Sequence, residues 1–180
     1  MEQDMQGASL RTIYVRRRSG FRSQGWLVAA GRPIRVAIGR SGILANKREG
    51  DGATPRGIFR LVRLWWRADR MPRPRTRLPV RRIGPRDGWC EDPQSRLYNQ
   101  PVHVAENKGG DRLWRHDRLY DLIIELDHNT RPRIAGRGSA VFIHVARDGF
   151  QSTAGCVALQ APQLQKLLER VGPTTRVVIE

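Results

Sequence analysis

His144 and Cys156 stand twelve positions apart (156 − 144) and are the residue types that could do acyl-transfer chemistry. A thiol is a strong nucleophile once ionised, and a neighbouring imidazole can accept its proton and later return it to a leaving amine. His144 stands near the end of the apolar run Ser139–Val145. A loop with Gly149 follows, and then Ser152-Thr153-Ala154-Gly155-Cys156. Gly155 lets the backbone turn tightly, so that N–H groups near Ala154 to Cys156 could point at a tetrahedral oxyanion. The small or polar side chains of Ser152, Thr153 and Ala154 leave room for a substrate. Spacing alone leaves a plainer reading open. A lone cysteine is usually a small buried hydrophobe, and Cys–His pairs are recognised in space rather than in sequence.

The elements that must position these residues are short and mostly β-prone. Thr12–Val15, Trp26–Ala30 and Ile34–Ile38 read as strands, the last two forming a hairpin across Gly31-Arg32-Pro33. Gly57–Trp66 mixes apolar and arginine positions, as a strand with one solvated face does. Arg67–Asp87 carries Pro72, Pro74, Pro79 and Pro85, which exclude a central strand or helix and predict an irregular exposed connection. Tyr120–Leu126 and Ser139–Val145 are the strongest candidates for buried strands. One helix is expected. It has Pro162 in its first turn, Leu164, Leu167, Leu168 and Val171 on one face, and Gly172-Pro173 at its end. Arg176–Ile179 closes the chain as a strand. The expectation is a mainly β domain with one or two short helices.

Three blocks, in order, carry a family resemblance. Asp51-Gly52-Ala53-Thr54-Pro55-Arg56-Gly57-Ile58-Phe59 looks like a D-G-x-T-P-x-G-x-F stretch. Trp89-Cys90-Glu91-Asp92-Pro93 with Tyr98-Asn99 looks like W-C-x-D-P and Y-N elements. Ser152–Leu159, behind the upstream His144, resembles a signature of catalytic His, loop and S-x-G-C. Together they resemble the YkuD-type L,D-transpeptidases over roughly Thr12 to the C-terminus. The resemblance implies a β-sandwich-like catalytic domain over residues 10–180 behind a polar extension, residues 1–9. It implies that Cys156 attacks the bond between the L-centre and D-alanine of a peptidoglycan tetrapeptide stem. His144 then serves as base and acid, often oriented in this family by a backbone carbonyl. An amine acceptor would complete transpeptidation; water would complete L,D-carboxypeptidation. No metal or organic cofactor is implied. Many members carry Arg two residues after the nucleophile, where this chain has Ala158. Trp89, Tyr98 and Asn99 are candidates to line the pocket or to pack beneath the Pro-rich loop. Cys90 is read as structural, with a redox partnership to Cys156 as the alternative. His103, His116 and His128 receive no role.

Composition bounds the rest. The chain has 180 residues, enough for one domain to bury a core without disulfides or a structural metal. No segment is long and apolar enough to cross a membrane as a helix. The first residues are polar and acidic, unlike a secretory signal, which on its face predicts a cytoplasmic protein; an envelope location requires another export route or another start. The net charge of +16 comes from 33 basic and 17 acidic residues; only Lys47, Lys108 and Lys166 are lysines. Attraction to anionic polymers such as wall glycans or to phospholipid surfaces fits this charge, as does coding bias toward arginine; dedicated nucleic-acid binding is disfavoured. A non-catalytic basic module on the same fold is the remaining alternative.

Overall fold

The structure is a computed structural model that describes residues 9–104 and 111–180. The polar extension lies outside the described residues as far as residue 8. The strands, in chain order, are β1 (Thr12–Arg17), β2 (Gln24–Ala29), β3 (Arg32–Ala37), β4 (Ile43–Leu44), β5 (Thr54–Pro55), β6 (Gly57–Trp66) and β7 (Val80–Arg82). They continue with β8 (Asp87–Trp89), β9 (Pro101–His103), β10 (Asp111–Arg112), β11 (Leu122–Leu126), β12 (Phe142–Val145), β13 (Val157–Leu159) and β14 (Arg176–Ile179). One α-helix, α1 (Ala161–Leu168), lies between β13 and β14. The chain is mainly β, as its short apolar runs and frequent turns predict.

The main sheet runs β11-β12-β13-β3-β2-β1-β14-β6-β7, and a further pairing of β11 with β6 closes it on itself. Strand β6 makes this possible by its length. Gly57–Arg60 pairs with β14, and Leu61–Trp66 pairs with β11. Closure leaves little open edge to invite another strand, and the short β7 remains as an edge. The seam between β13 and β3 is the thinnest, resting on the single register pair Ala158 and Ala37.

The main core fills the enclosed space. Ile13 and Val15 of β1, Leu27 of β2, Val36 of β3, Leu61 and Leu64 of β6 and Val177 of β14 are all essentially buried there. Helix α1 adds Leu164, Leu167 and Leu168 from one face. The helix ends at Leu168, before the expected Gly172-Pro173 stop, but the Arg170 and Val171 N–H groups still bond to the Leu167 carbonyl, so Val171 reaches the core.

The Pro-rich segment departs from expectation. Val80–Arg82 forms an edge strand parallel to the end of β6. The reason is positional: Pro79 ends the irregular stretch, and an edge strand needs hydrogen bonds on one side only. Beyond it, β8, β9 and β10 form a separate three-stranded sheet. This small sheet bears on a second apolar cluster, of Trp65, Trp89, Tyr120, Ile123, Phe142 and Cys156 among others. The two cores lie on opposite faces of β11 and β12, and the second one ends at the nucleophile candidate.

Candidate active site

Strand alternation assigns each residue of β12 and β13 to a face. Ile143, Val145, Val157 and Leu159 point into the main core. Phe142, His144, Cys156 and Ala158 point the other way, where a cavity of about 530 Å³ opens. The two strands are parallel, with His144 opposite Ala158 and Ile143 opposite Val157. That register places Cys156, just before β13, diagonally across from His144 on the same face. Both residues line the cavity, whose volume suits a small peptide ligand.

The imidazole is fixed by its own strand. Nδ1 of His144 lies 2.8 Å from the Val145 carbonyl. A carbonyl can only accept, so Nδ1 carries the proton and Nε2 is left as the bare acceptor. Tyr120 packs edge-on against the ring at 5.3 Å, and its hydroxyl donates to Asp111 at 2.8 Å. The thiol is held equally firmly. Sγ of Cys156 donates to the Ala140 carbonyl at 3.2 Å and accepts from the Phe142 N–H at 3.4 Å.

Burial sets the protonation of both groups. It pulls His144 down to about 4, with the Val145 hydrogen bond opposing and the charges of Arg115 and Arg147 assisting. It pushes the Cys156 thiol up to about 12, helped by the nearby carboxylates of Asp111 and Glu91 and opposed by the Phe142 N–H and by Lys47. At neutral pH the site is therefore a thiol beside a neutral imidazole, not a preformed ion pair. The Cys156 thiol proton is directed at the Ala140 carbonyl, and the unprotonated Nε2 of His144 is a base on the same cavity face.

The turn before Cys156 is built against the Asp51–Phe59 block. A Cβ on Gly155 would lie 2.7 Å from the Ala53 carbonyl, and Gly155 adopts φ +151°, so only glycine fits. The Thr54 hydroxyl accepts from the Gly39 N–H at 2.8 Å, and Gly39 bridges to Thr153. Asp51 accepts from Lys47 at 2.6 Å and from the Ala53 and Arg48 amides. Burial alone would raise the Asp51 carboxyl, but these bonds outweigh it and hold it below the usual range. Asp51-Gly52-Ala53-Thr54 is thus the buttress of the nucleophile turn. Gly155 N–H is engaged by the Thr153 hydroxyl at 3.1 Å, and that hydroxyl donates to the Cys156 carbonyl at 2.6 Å. Ser152, Thr153 and Ala154 line the cavity, as their small size predicts.

The other candidates lie behind the cavity wall. Trp89 is buried, donates to Asn99 Oδ1 at 3.0 Å and stacks edge-on against Phe142 at 5.0 Å. Asn99 Oδ1 also accepts from the Ala140 N–H at 3.1 Å, in the residue whose carbonyl holds the thiol. Tyr98 donates to Glu49 at 2.5 Å, and Glu49 also accepts from Ser139. Trp89 and Asn99 brace the backbone beneath the nucleophile and Tyr98 holds the Glu49 side chain of the cavity wall, rather than lining the cavity themselves. Cys90 is a free thiol, half-buried, with its backbone bonded to Asn99 and Gln100.

Sequence reasoning missed the charged walls. Glu49, Glu91, Asp111, Arg115, Lys47 and Arg147 all line the cavity. They come from four segments of the chain, around Lys47, Glu91, Asp111 and Arg147, and no local spacing marks their meeting. Glu91 keeps solvent access, yet burial against the wall and then the charges of Asp111 and Glu49 push its carboxyl up to about 7. Among the described residues no group of three or more His, Cys, Asp or Glu side chains is arranged to hold a metal ion.

The family model described as YkuD, L,D-transpeptidase catalytic domain, matches residues 11–179. No curated protein matches the chain significantly.

Proposed function

The chain belongs to the YkuD family of L,D-transpeptidase catalytic domains, and we propose that it is a cysteine acyl-transfer enzyme acting on peptidoglycan stem peptides. The observation that carries the reading is the shared cavity face of Cys156 and His144, with the imidazole Nδ1 locked to the Val145 carbonyl. Sγ of Cys156 attacks the carbonyl at the L-centre of a tetrapeptide stem while His144 Nε2 takes the thiol proton. The tetrahedral oxygen is received by N–H groups at Ala154 and Cys156, since Gly155 N–H is already engaged. The imidazolium then protonates the departing D-alanine amine, leaving a thioester on Cys156. An amine acceptor completes transpeptidation. Ala158 replaces the arginine that many members carry, and Arg40, Lys47, Arg115 and Arg147 bring cationic charge into the same cavity for substrate carboxylates.

The test is intact-protein and product mass spectrometry after incubation with a disaccharide-tetrapeptide, with and without an added D-amino acid. The proposal expects an adduct on Cys156, loss of D-alanine and exchange for the added D-amino acid. Tripeptide alone would make the enzyme an L,D-carboxypeptidase. Neither adduct nor product from folded protein with a free Cys156 thiol would remove the enzymatic reading and favour a basic binding module.

A further inference from the structure

Arginines are scattered along the whole chain, but acids are not. From Ser9 to Arg48 there is no Asp or Glu, while nine arginines and Lys47 fall in that span. Most of this span, as far as Ala37, is β1, β2, β3 and their turns, adjacent strands of one sheet, and the bias there becomes a contiguous surface of one sign, while Lys47 is buried against Asp51. Arg11, Arg16, Arg17, Arg22 and Arg32 are exposed on it. A carboxylate from elsewhere reaches it at Arg16, which pairs with Glu180 at 2.5 Å.

The same surface carries apolar groups that the core does not need. Phe21, in the β1–β2 turn, is 41% exposed, and Tyr14 on β1 is 38% exposed. Tyr14 lies in a cross-strand row with Val28 of β2, Val178 of β14 and Ile58 of β6, and Ile58 is 69% exposed. Each exposed ring has a guanidinium over it. Arg18 sits 4.1 Å from the centre of Phe21 and 5.7 Å from Trp26, and Arg16 sits 5.3 Å from Tyr14. A nucleic-acid platform needs open ring faces for bases to stack on, and here an arginine already lies over one face of each ring. An arginine lying on an aromatic ring suits a lipid interface instead. The ring enters the headgroup boundary, and the guanidinium stays with the phosphates.

We propose that the β1–β2 hairpin, Arg16–Gln24, with the adjoining outer face of β1, docks the protein on an anionic phospholipid surface. The occupant follows from charge complementarity and exposed rings together. The hairpin also abuts the rim of the catalytic cavity. The Ser23 carbonyl accepts from the Ile38 N–H at 2.9 Å, and the Arg40 N–H donates to the Thr153 carbonyl at 3.0 Å, with Arg40 and Thr153 both at the cavity. Docking by the hairpin therefore presents the cavity mouth beside the headgroups. The surface proposal stands apart from the proposed reaction, because it uses neither Cys156 nor His144.

The test is co-sedimentation of the full chain with phosphatidylcholine vesicles, with and without phosphatidylglycerol, at about 0.1 M salt. The expected result is binding only to the phosphatidylglycerol vesicles, weakening as salt rises. Each arginine near an anionic surface is worth about a fivefold change in binding. Arg17→Glu with Arg22→Glu should therefore weaken binding at least about tenfold. Phe21→Ser should weaken it severalfold without changing its salt dependence. Arg73→Glu with Arg75→Glu removes the same charge from the exposed Pro-rich loop and should have a much smaller effect. Equal losses from the two arginine pairs would overturn the proposal, because attraction would then follow net charge alone. So would absence of binding to phosphatidylglycerol vesicles, or tighter binding to single-stranded nucleic acid that is indifferent to Phe21→Ser. Unchanged thermal melting of each variant establishes that it is folded.

Discussion

The two faces of β12 and β13 are built from the same short strands yet do opposite things with burial. Toward the main core, Ile143, Val145, Val157 and Leu159 are all buried and apolar, and their burial is simply stabilising. Toward the cavity, His144 and Cys156 are nearly as buried, at 6% and 7% exposure. There burial acts on protonation, holding an imidazole and a thiol neutral side by side. A one-residue slip of register would exchange the two sets, so the core that fixes the register also fixes the chemistry.

The comparison can be broken most severely at the sulfur. Cys156→Ala should lower turnover at least about 10⁴-fold, in line with loss of a catalytic nucleophile, while thermal melting changes little. A stem-processing assay on the melted and unmelted fractions checks both halves. Persistence of turnover would detach the cavity face from the reaction. On the opposite face, Ile143→Ala should cost about 2–5 kcal/mol of stability through a cavity in the core. Urea unfolding reads that cost, and the molecules that remain folded should keep most of their turnover.

A third effect concerns pH. His144 is lowered from 6.5 to about 4 in the folded state. The unfolded chain therefore binds more protons between those values, and stability falls as pH drops from about 6.5 to 4. The loss from this one group is about 3 kcal/mol. For Cys156 the sign reverses: its thiol is raised from 9.0 to about 12, so stability falls as pH climbs from about 9. Urea titrations across pH should show the acid limb shrink in His144→Gln and the alkaline limb shrink in Cys156→Ala. Limbs unchanged by these substitutions would mean that the two groups are not held neutral by the fold. The smallest expected effect is at Glu91, whose carboxylate helps to raise the thiol. Glu91→Gln should let Cys156 react with an alkylating reagent at lower pH than the parent does.

Much of this was legible in the sequence because it depends on local pattern. Gly57–Trp66 is a strand end to end, and Tyr120–Leu126 and Ser139–Val145 contain β11 and β12. The helix follows from Leu164, Leu167 and Leu168 on one face. His144 and Cys156 stood out as candidates through the resemblance of the His, loop and S-x-G-C run to a family signature, since spacing alone left a plainer reading open. Less legible was what depends on convergence. Glu49 and Glu91 reach the cavity from two separate loops and Asp111 from β10, and nothing in their neighbours marks that meeting. Trp89, Tyr98 and Asn99 were visible as a motif, but not the direction of their polar groups. Only the fold shows Asn99 gripping the Ala140 backbone that holds the thiol.

The most direct measurement of the central claim is the pH dependence of Cys156 alkylation in a Cys90→Ser background, followed by mass spectrometry without substrate. A neutral thiol and imidazole predict slow reaction at neutral pH and a rate that climbs about tenfold per pH unit well into the alkaline range, as the thiolate fraction does. A fast plateau between about pH 5 and 8 would contradict the account, because it would reveal a thiolate already paired with a protonated His144.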